Sequence, residues 1–278
     1  MATLILQGPK LDGEATRQIA AHTGGHIETR AQHIRVMIDQ PILAQSLADL
    51  RARFAFDINP LPADFDPAAV RLLLTDMDST LINIECMDEI AGYAGIKPQV
   101  AEITESAMRG EIDFETSLRR RLALVKGLDA SLLEKVYMEK LRLNEGAAAL
   151  IAGLRARGIK TALVSGGFTF FTERLREHLH LDYTLANELD IAGGRLLGTV
   201  SGGIIGAQAK ADFLRKLCDK LGISEKAVIA SGDGANDLPM MHLAGLGVAY
   251  RAKPAVQAKA DIVLNHAALD AILDFIES

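Results

Sequence analysis

Apolar positions along the chain follow two kinds of pattern, and the change between them divides the sequence. Over residues 1–62, short apolar runs alternate with stretches of helical spacing. Residues 3–7 read as a strand, 13–22 as a helix, 26–31 and 33–38 as two strands, 42–54 as a helix and 55–60 as a last strand. The order β-α-β-β-α-β predicts a small ferredoxin-like α+β domain. Asn59-Pro60-Leu61-Pro62, with Pro67 beyond it, reads as a linker, because proline supplies no amide donor to a helix or sheet.

Over residues 68–278 the runs become nearly continuous. VRLLLT at 70–75 has the composition of a strand buried on both faces, and similar runs recur at 160–164, 227–230, 247–249 and 261–264. Helical spacing separates most of them, at 146–157, 168–179, 210–221 and 238–243, with 269–276 closing the chain. This alternation predicts an α/β fold, a doubly wound Rossmann-like parallel sheet. Gly193-Gly194 between two short apolar runs predicts a hairpin. Residues 87–143 break the rhythm, being helical in pattern without a strand. They fall between the first strand and its crossover helix. A helical cap of about 84–145 is therefore expected over the carboxyl edge of the sheet, where such folds bind ligands.

Composition narrows the function. With 49% hydrophobic and 24% charged residues in 278, the chain is globular, and its net charge of −6 offers no footprint for nucleic acid or an anionic membrane. No apolar stretch approaches the roughly 20 residues that span a bilayer. MATLILQGPKLDGE has no basic segment ahead of its apolar run, so a cytoplasmic location is expected. Cys86 and Cys218 are too few for a disulfide framework or a cysteine zinc site, which suits a reducing compartment. The acidic surplus sets a condition: an anionic substrate must be bound by local donors.

Three loops at predicted strand ends could meet it. The first strand runs into Asp76-Met77-Asp78-Ser79-Thr80, which presents two carboxylates in the crevice. The strand at 160–164 runs into Ser165-Gly166-Gly167, a hydroxyl with flexible backbone donors ahead of a helix, as an anion site needs. The strand at 227–230 runs into Ser231-Gly232-Asp233-Gly234-Ala235-Asn236-Asp237, whose acidic and amide groups suit a hard cation such as Mg²⁺. Lys210, opening the preceding helix, could add a fixed positive charge. Taken singly, each loop is also what a turn or helix cap looks like. All three at carboxyl strand ends point to one site. No GxxxxGK[ST] or GxGxxG accompanies the first strand, so nucleotide-binding versions of the fold lack support.

DMDST, SGGF, Lys210 and GDGAND, in that order, resemble the four motifs of haloacid-dehalogenase-superfamily phosphatases. The likeness extends through Glu85, through Met108 to Phe114 and through Ser117-Leu118-Arg119-Arg120-Arg121, and it runs from about residue 70 to the carboxyl terminus. Within the superfamily it is to enzymes that hydrolyse O-phospho-L-serine, the last step of serine biosynthesis. The resemblance implies Asp76 as the nucleophile, through an aspartyl-phosphate, and Asp78 as general acid and then base. It implies one Mg²⁺ held by Asp76, the Asp78 carbonyl and Asp233, with Asp237 supporting the metal's water and Lys210. Ser165, Gly166, Lys210 and Asn236 would hold the phosphate. Glu85 would receive the substrate ammonium and Arg121 its carboxylate, while Met108 and Phe114 close over the site.

Other readings stay open on the residues alone. A different small phosphomonoester could be hydrolysed, or its phosphoryl group transferred, and a phosphate-accepting switch would also use acid-lined loops. Asp78 argues against the switch, which needs no acid for a leaving alcohol. His22, His26, His33, His178 and His180 have no metal-ligand spacing. Cys86 reads as a small apolar neighbour of the pocket. The amino-terminal unit lies outside the resemblance. Serine sensing, homodimer formation or a structural cover all remain roles for it.

Overall fold

The computed structural model describes residues 2–108, the Met108 side chain excepted, and 111–277. The amino-terminal unit is β1 (Ala2–Gln7), α1 (Gly13–Thr23), β2 (His26–Thr29), β3 (Ile34–Ile38), α2 (Ala44–Arg53) and β4 (Asp57–Leu61). Its sheet is antiparallel in the order β2-β3-β1-β4, the ferredoxin-like arrangement, and the inward faces of β1, α1 and β3 meet in a core around Leu4, Leu6, Ile19 and Val36. Asp12 caps α1 through the Ala15 amide, and Gly24 in the left-handed region ends it.

The stretch expected to be a linker is partly strand. Asn59, Pro60 and Leu61 belong to β4. Pro60 is tolerated because β4 has a backbone neighbour, β1, on one side only. On its other side β4 meets the second sheet.

That sheet has seven strands: β5 (Leu72–Thr75), β6 (Lys160–Phe168), β7 (Tyr183–Ala192), β8 (Arg195–Ser201), β9 (Val228–Gly232), β10 (Leu246–Tyr250) and β11 (Ile262–Leu264). The order is β11-β10-β9-β5-β6-β7-β8, all parallel except β8, which returns from β7 through Gly193-Gly194, both at positive φ. Helices α7 (Ala147–Ala156), α8 (Thr169–Leu179), α9 (Ala207–Leu221), α10 (Leu238–Leu243) and α11 (Pro254–Gln257) complete the α/β fold, with one apolar core on each face of the sheet. The chain leaves central β5 towards β6 and later returns on its other side as β9. This switch point opens a crevice at the carboxyl end of β5.

Helices α3 (Cys86–Tyr93), α4 (Lys97–Met108), α5 (Phe114–Leu124) and α6 (Ser131–Lys135), the last continued by a wider turn at Val136–Lys140, form the insertion between β5 and α7. None of the described helices is long and apolar enough to cross a membrane.

Two boundaries differ from the sequence pattern, and both bear on the site. The strand expected to end at 164 continues to Phe168, so Ser165-Gly166-Gly167 is a bulge within β6. Helix α9 starts at Ala207, which puts Lys210 one turn inside it and not at its first position.

The amino-terminal sheet docks on the outer edge of the seven-stranded one through buried polar groups. The Asn59 side chain donates to the Val263 carbonyl and accepts from the Val263 amide, both at 2.9 Å, standing in for a backbone ladder between β4 and β11. Asp57 accepts from the amides of Asn265, His266 and Ala267. An edge strand that would otherwise offer unpaired backbone groups is thereby covered.

Candidate active site

Asp76 follows β5 directly, and its amide donates to the Ser231 carbonyl at 2.9 Å, which ties the first acidic loop to the third at their root. Its side chain is 8% exposed. Lys210, fully buried on the inward face of α9, donates to Asp76 Oδ1 and to Asp237 Oδ1, each at 2.7 Å. Asp237 also accepts from the Gly234 amide through Oδ2 at 3.0 Å, so its loop folds back on itself. Asp76, Asp233 and Asp237 bring carboxylate oxygens within 4.8 Å of one another.

One ammonium thus serves two carboxylates, with a third beside them. Burial, then Asp237, push the Asp76 carboxyl well above its ordinary range against the pull of Lys210. Burial and Asp237 likewise raise Asp233 to about 7. Burial alone would depress Lys210, but Asp237 and Asp76 outweigh it and hold the amine protonated. The cluster carries more negative charge than one lysine offsets, and a hard divalent cation with oxygen ligands fits that donor set.

Asp78 lies on the turn just beyond, with Oδ1 buried and without a hydrogen-bond partner among the described residues. Burial first, then the Glu85 charge, raise it to about 8, so its acid form dominates at neutral pH. Cys86 lies against it, and its amide and thiol moderate the shift. That contact assigns Cys86 a place beside the acid, and burial pushes its own thiol far up, as suits an inert thiol.

Ser165 is 1% exposed, and its hydroxyl accepts from the Gly167 amide at 2.8 Å. Glycine is required here by close approach. A Cβ on Gly166 would lie 2.8 Å from Phe114 Cζ, and one on Gly167 would lie 2.9 Å from Met77 Cε and 3.2 Å from Asp78 Oδ2. The geometry brings together the anion loop, the acid and the cap residue Phe114, which opens α5 behind an Asp113 cap. A crevice of about 540 Å³ lies alongside, lined by Asp113, Phe114, Thr116, Ile204, Gly206 and Gln208. Asn236 is half-buried on the third loop, its side chain against Gly234.

At the cap side, Glu85 accepts from the Ser79 hydroxyl at 2.6 Å. Burial raises its carboxyl, and Ser79 and Arg121 counter this. In the run Arg119-Arg120-Arg121, Arg119 pairs with Glu115 on the exposed face. Arg121 instead turns inward, half-buried, where burial lowers its pKa and Asp88, Glu85 and Asp78 oppose that. The Met108 side chain lies outside the described residues.

Two contributors carry no signal in the sequence pattern, and a third, Ser79, lies in DMDST without its contact being legible there. Ser79 has φ of 57°, and this turn aims its hydroxyl at Glu85. The Asn144 amide donates to the carbonyls of Ser79, Thr80 and Ile82, fixing the turn that holds both acids. Lys253, which precedes α11, is close enough to lower the pKa of both Glu85 and Asp233. Each acts from far along the chain or through backbone geometry, which no local motif records.

His33, Asp274 and Glu277 form a second group of metal-ligand types. Arg35 Nε donates to His33 Nε2 at 3.2 Å, and His33 Nδ1 lies 3.3 Å from Asp274 Oδ1. With Gln7 donating to Asp274 at 2.6 Å, these residues are part of the docking between the two sheets.

Residues 70–245 match the model of the haloacid dehalogenase-like hydrolases. The chain is 49% identical over 225 residues to the phosphoserine phosphatase of Polaromonas sp., covering 79% of this chain and 95% of that one. It is 51% identical over 212 residues to the phosphoserine phosphatase of Haemophilus influenzae, covering 76% and 67%. Among solved structures, a haloacid-dehalogenase-family hydrolase from Salmonella enterica serovar Typhi superposes with a TM-score of 0.92 at 30% identity, over 100% of this chain and 99% of that one.

Proposed function

The chain belongs to the haloacid dehalogenase-like hydrolases, and from that membership we propose that it hydrolyses O-phospho-L-serine to L-serine and phosphate in a Mg²⁺-dependent reaction. The observation that carries the reading is the pairing of two unlike acids one residue apart. Asp76 is fixed by the Lys210 ammonium beside Asp233 and Asp237, while Asp78 has no hydrogen bond from that lysine, its Oδ1 is buried and unpartnered among the described residues, and its carboxyl is raised to about 8. Unlike environments divide the roles of nucleophile and acid. The substrate follows from the two phosphoserine phosphatases at 49% and 51% identity.

In this reading an Asp76 carboxylate oxygen attacks phosphorus as the bond to the seryl oxygen breaks, and Asp78 gives its proton to that oxygen. Serine leaves. Asp78, now a carboxylate, takes a proton from the water that attacks the aspartyl-phosphate, which releases phosphate and restores both residues. One Mg²⁺ held by Asp76, Asp233 and the Asp78 carbonyl, with Asp237 behind them, would supply the charge neutralisation that lets an anion approach a phosphate dianion.

The remaining residues bind and orient. Lys210 keeps Asp76 aligned and adds positive charge at the phosphate. The Ser165 hydroxyl, the Gly166 amide and Asn236 take phosphate oxygens. Glu85 accepts from the serine ammonium, Arg121 presents its planar fork to the carboxylate, and Met108 and Phe114 exclude water. The buried, unpaired Cys86 and Cys218 support a cytoplasmic setting.

The test is phosphate release from O-phospho-L-serine with and without Mg²⁺, alongside O-phosphothreonine and phosphoethanolamine. Turnover should need Mg²⁺ and favour phosphoserine. Equal turnover of phosphoethanolamine, which lacks the carboxylate, would remove the role given to Arg121.

A further inference from the structure

We infer that Asn187 is a positioning residue for phosphate binding, setting the distance between the anion loop and the helix that carries Lys210; this rests on the phosphatase reading above. Asn187 lies in β7 and is 1% exposed. Between the paired positions Val164 and Phe168, β6 holds three residues, Ser165 to Gly167. On β7 only Ala186 separates their partners, Leu185 and Asn187. The surplus residues bulge out of the ladder, and their backbone groups need partners from elsewhere.

Asn187 supplies one. Its Nδ2 donates to the Gly166 carbonyl at 2.8 Å, while its Oδ1 accepts from the Ile205 amide at 2.9 Å. Ile205 immediately precedes Gly206, which caps α9, and Lys210 sits one turn into that helix. A single planar amide therefore spans the two segments that would meet the phosphate. The Gly166–Gly167 peptide is pinned on both sides, its oxygen by Asn187 and its N–H by the Ser165 hydroxyl at 2.8 Å.

The loop braces itself only through Ser165. A side chain at Gly166 would strike Phe114, and one at Gly167 would enter the space of Met77 and Asp78. Two glycines in sequence have wide conformational freedom, and Ser165 holds only the Gly167 amide, so rigidity at the Gly166 carbonyl must come from outside the loop. Asn187 provides it without hydrogen-bonding to any member of the Asp76, Asp233 and Asp237 cluster. Its effect is thereby separable from the metal's.

The experiment measures inorganic phosphate binding in the presence of Mg²⁺ by titration calorimetry, with kcat and KM for O-phospho-L-serine, on the full chain and on Asn187→Ala and Asn187→Asp. Losing the donor to a buried carbonyl should weaken phosphate binding about tenfold and raise KM in parallel. The Mg²⁺ concentration for half-maximal activity should stay within about twofold. Asn187→Asp keeps the volume and the acceptor for Ile205, and it is the variant read if Asn187→Ala does not fold. Asn59→Ala, which removes another buried amide clamped on backbone, is the control. It should lower the melting temperature and leave phosphate affinity unchanged.

Phosphate affinity within about twofold of the unmodified chain in the folded Asn187 variants would overturn the inference. So would an equal loss in Asn59→Ala, which would mark a general consequence of destabilisation. If the unmodified chain releases no phosphate from O-phospho-L-serine while Asn187→Ala still weakens phosphate binding, the substrate reading falls and the positioning role stands.

Discussion

Lys210 holds Asp76 from the inside of a helix, at 2.7 Å and without solvent contact, and the same ammonium holds Asp237. A lysine on the buried face of α9, beside Ala211, Leu214, Leu217 and Cys218, is costly unless its charge is matched. Two carboxylates match it. Substituting Lys210→Met keeps the length of the side chain and removes the cation.

The expected result is a chain destabilised by about 3–5 kcal/mol, because a buried pair loses one partner. Phosphatase turnover should fall by at least about a hundredfold. Urea unfolding and phosphate release measure the two effects. Turnover near that of the unmodified chain would remove Lys210 from the site.

Asp78→Asn tests the division of labour between the acids. An amide cannot give a proton to a departing alcohol, nor take one from the attacking water. With O-phospho-L-serine both steps should slow, by about 10²–10⁴-fold for the loss of general acid–base catalysis. An aryl phosphate, whose leaving group needs no proton, should still phosphorylate Asp76, so a burst of one phenol per chain should precede a slow steady rate. A steady rate on phosphoserine equal to that of the unmodified chain would refute the role.

The same acids explain what the sequence shows of this site and what it hides. Asp76, Asp78, Asp233 and Asp237 are legible because they sit in short loops at the ends of apolar runs, where chain pattern and chemistry coincide. The start of α9 is not, because a buried lysine interrupts the apolar spacing that marks an inward face. The end of β4 is misread as a linker because Pro60 signals a break, and its place at a sheet edge is a tertiary fact. The bulge in β6 is hidden for a related reason. Ser-Gly-Gly looks like the end of a strand, and only the partner strand reveals that pairing resumes at Phe168. Asn144 and Lys253 reach the site through folding alone, and the turn that aims Ser79 at Glu85 is a matter of backbone geometry.

The surplus negative charge also makes a prediction about the metal. Asp233 is raised to about 7 and Asp76 is raised by burial and Asp237. Cation binding requires the carboxylate forms, so near pH 7 it must displace protons. Mg²⁺ affinity should therefore weaken as pH falls through the Asp233 value of about 7, because the raised carboxyls then hold their protons more firmly. Calorimetric titrations of Mg²⁺ at pH 7 in two buffers of different ionisation enthalpy measure the proton release directly. Identical heats in the two buffers would count against the raised carboxyls.

The amino-terminal unit is held to the catalytic sheet by buried polar contacts, and Asp57 is the most connected of them. Its two carboxylate oxygens serve the amides of Asn265, His266 and Ala267, which follow β11, while Asn59 pairs with Val263 within that strand. Asp57→Ala leaves three amides without their acceptor at a covered sheet edge. A loss of about 2–4 kcal/mol is expected, since each buried unsatisfied group costs about 1–3 kcal/mol and water will reach some of them. Asp57→Asn keeps one acceptor oxygen but turns an amide donor towards other donors, so it should fall between the two. Strands β10 and β9 separate β11 from β5, so kcat on O-phospho-L-serine should remain within about twofold. Thermal unfolding and steady-state kinetics on the same preparations decide the matter. Unchanged melting in Asp57→Ala would mean that the two sheets lean on each other through apolar contact alone. A large fall in kcat with unchanged melting would instead make this unit a participant in catalysis and not its cover.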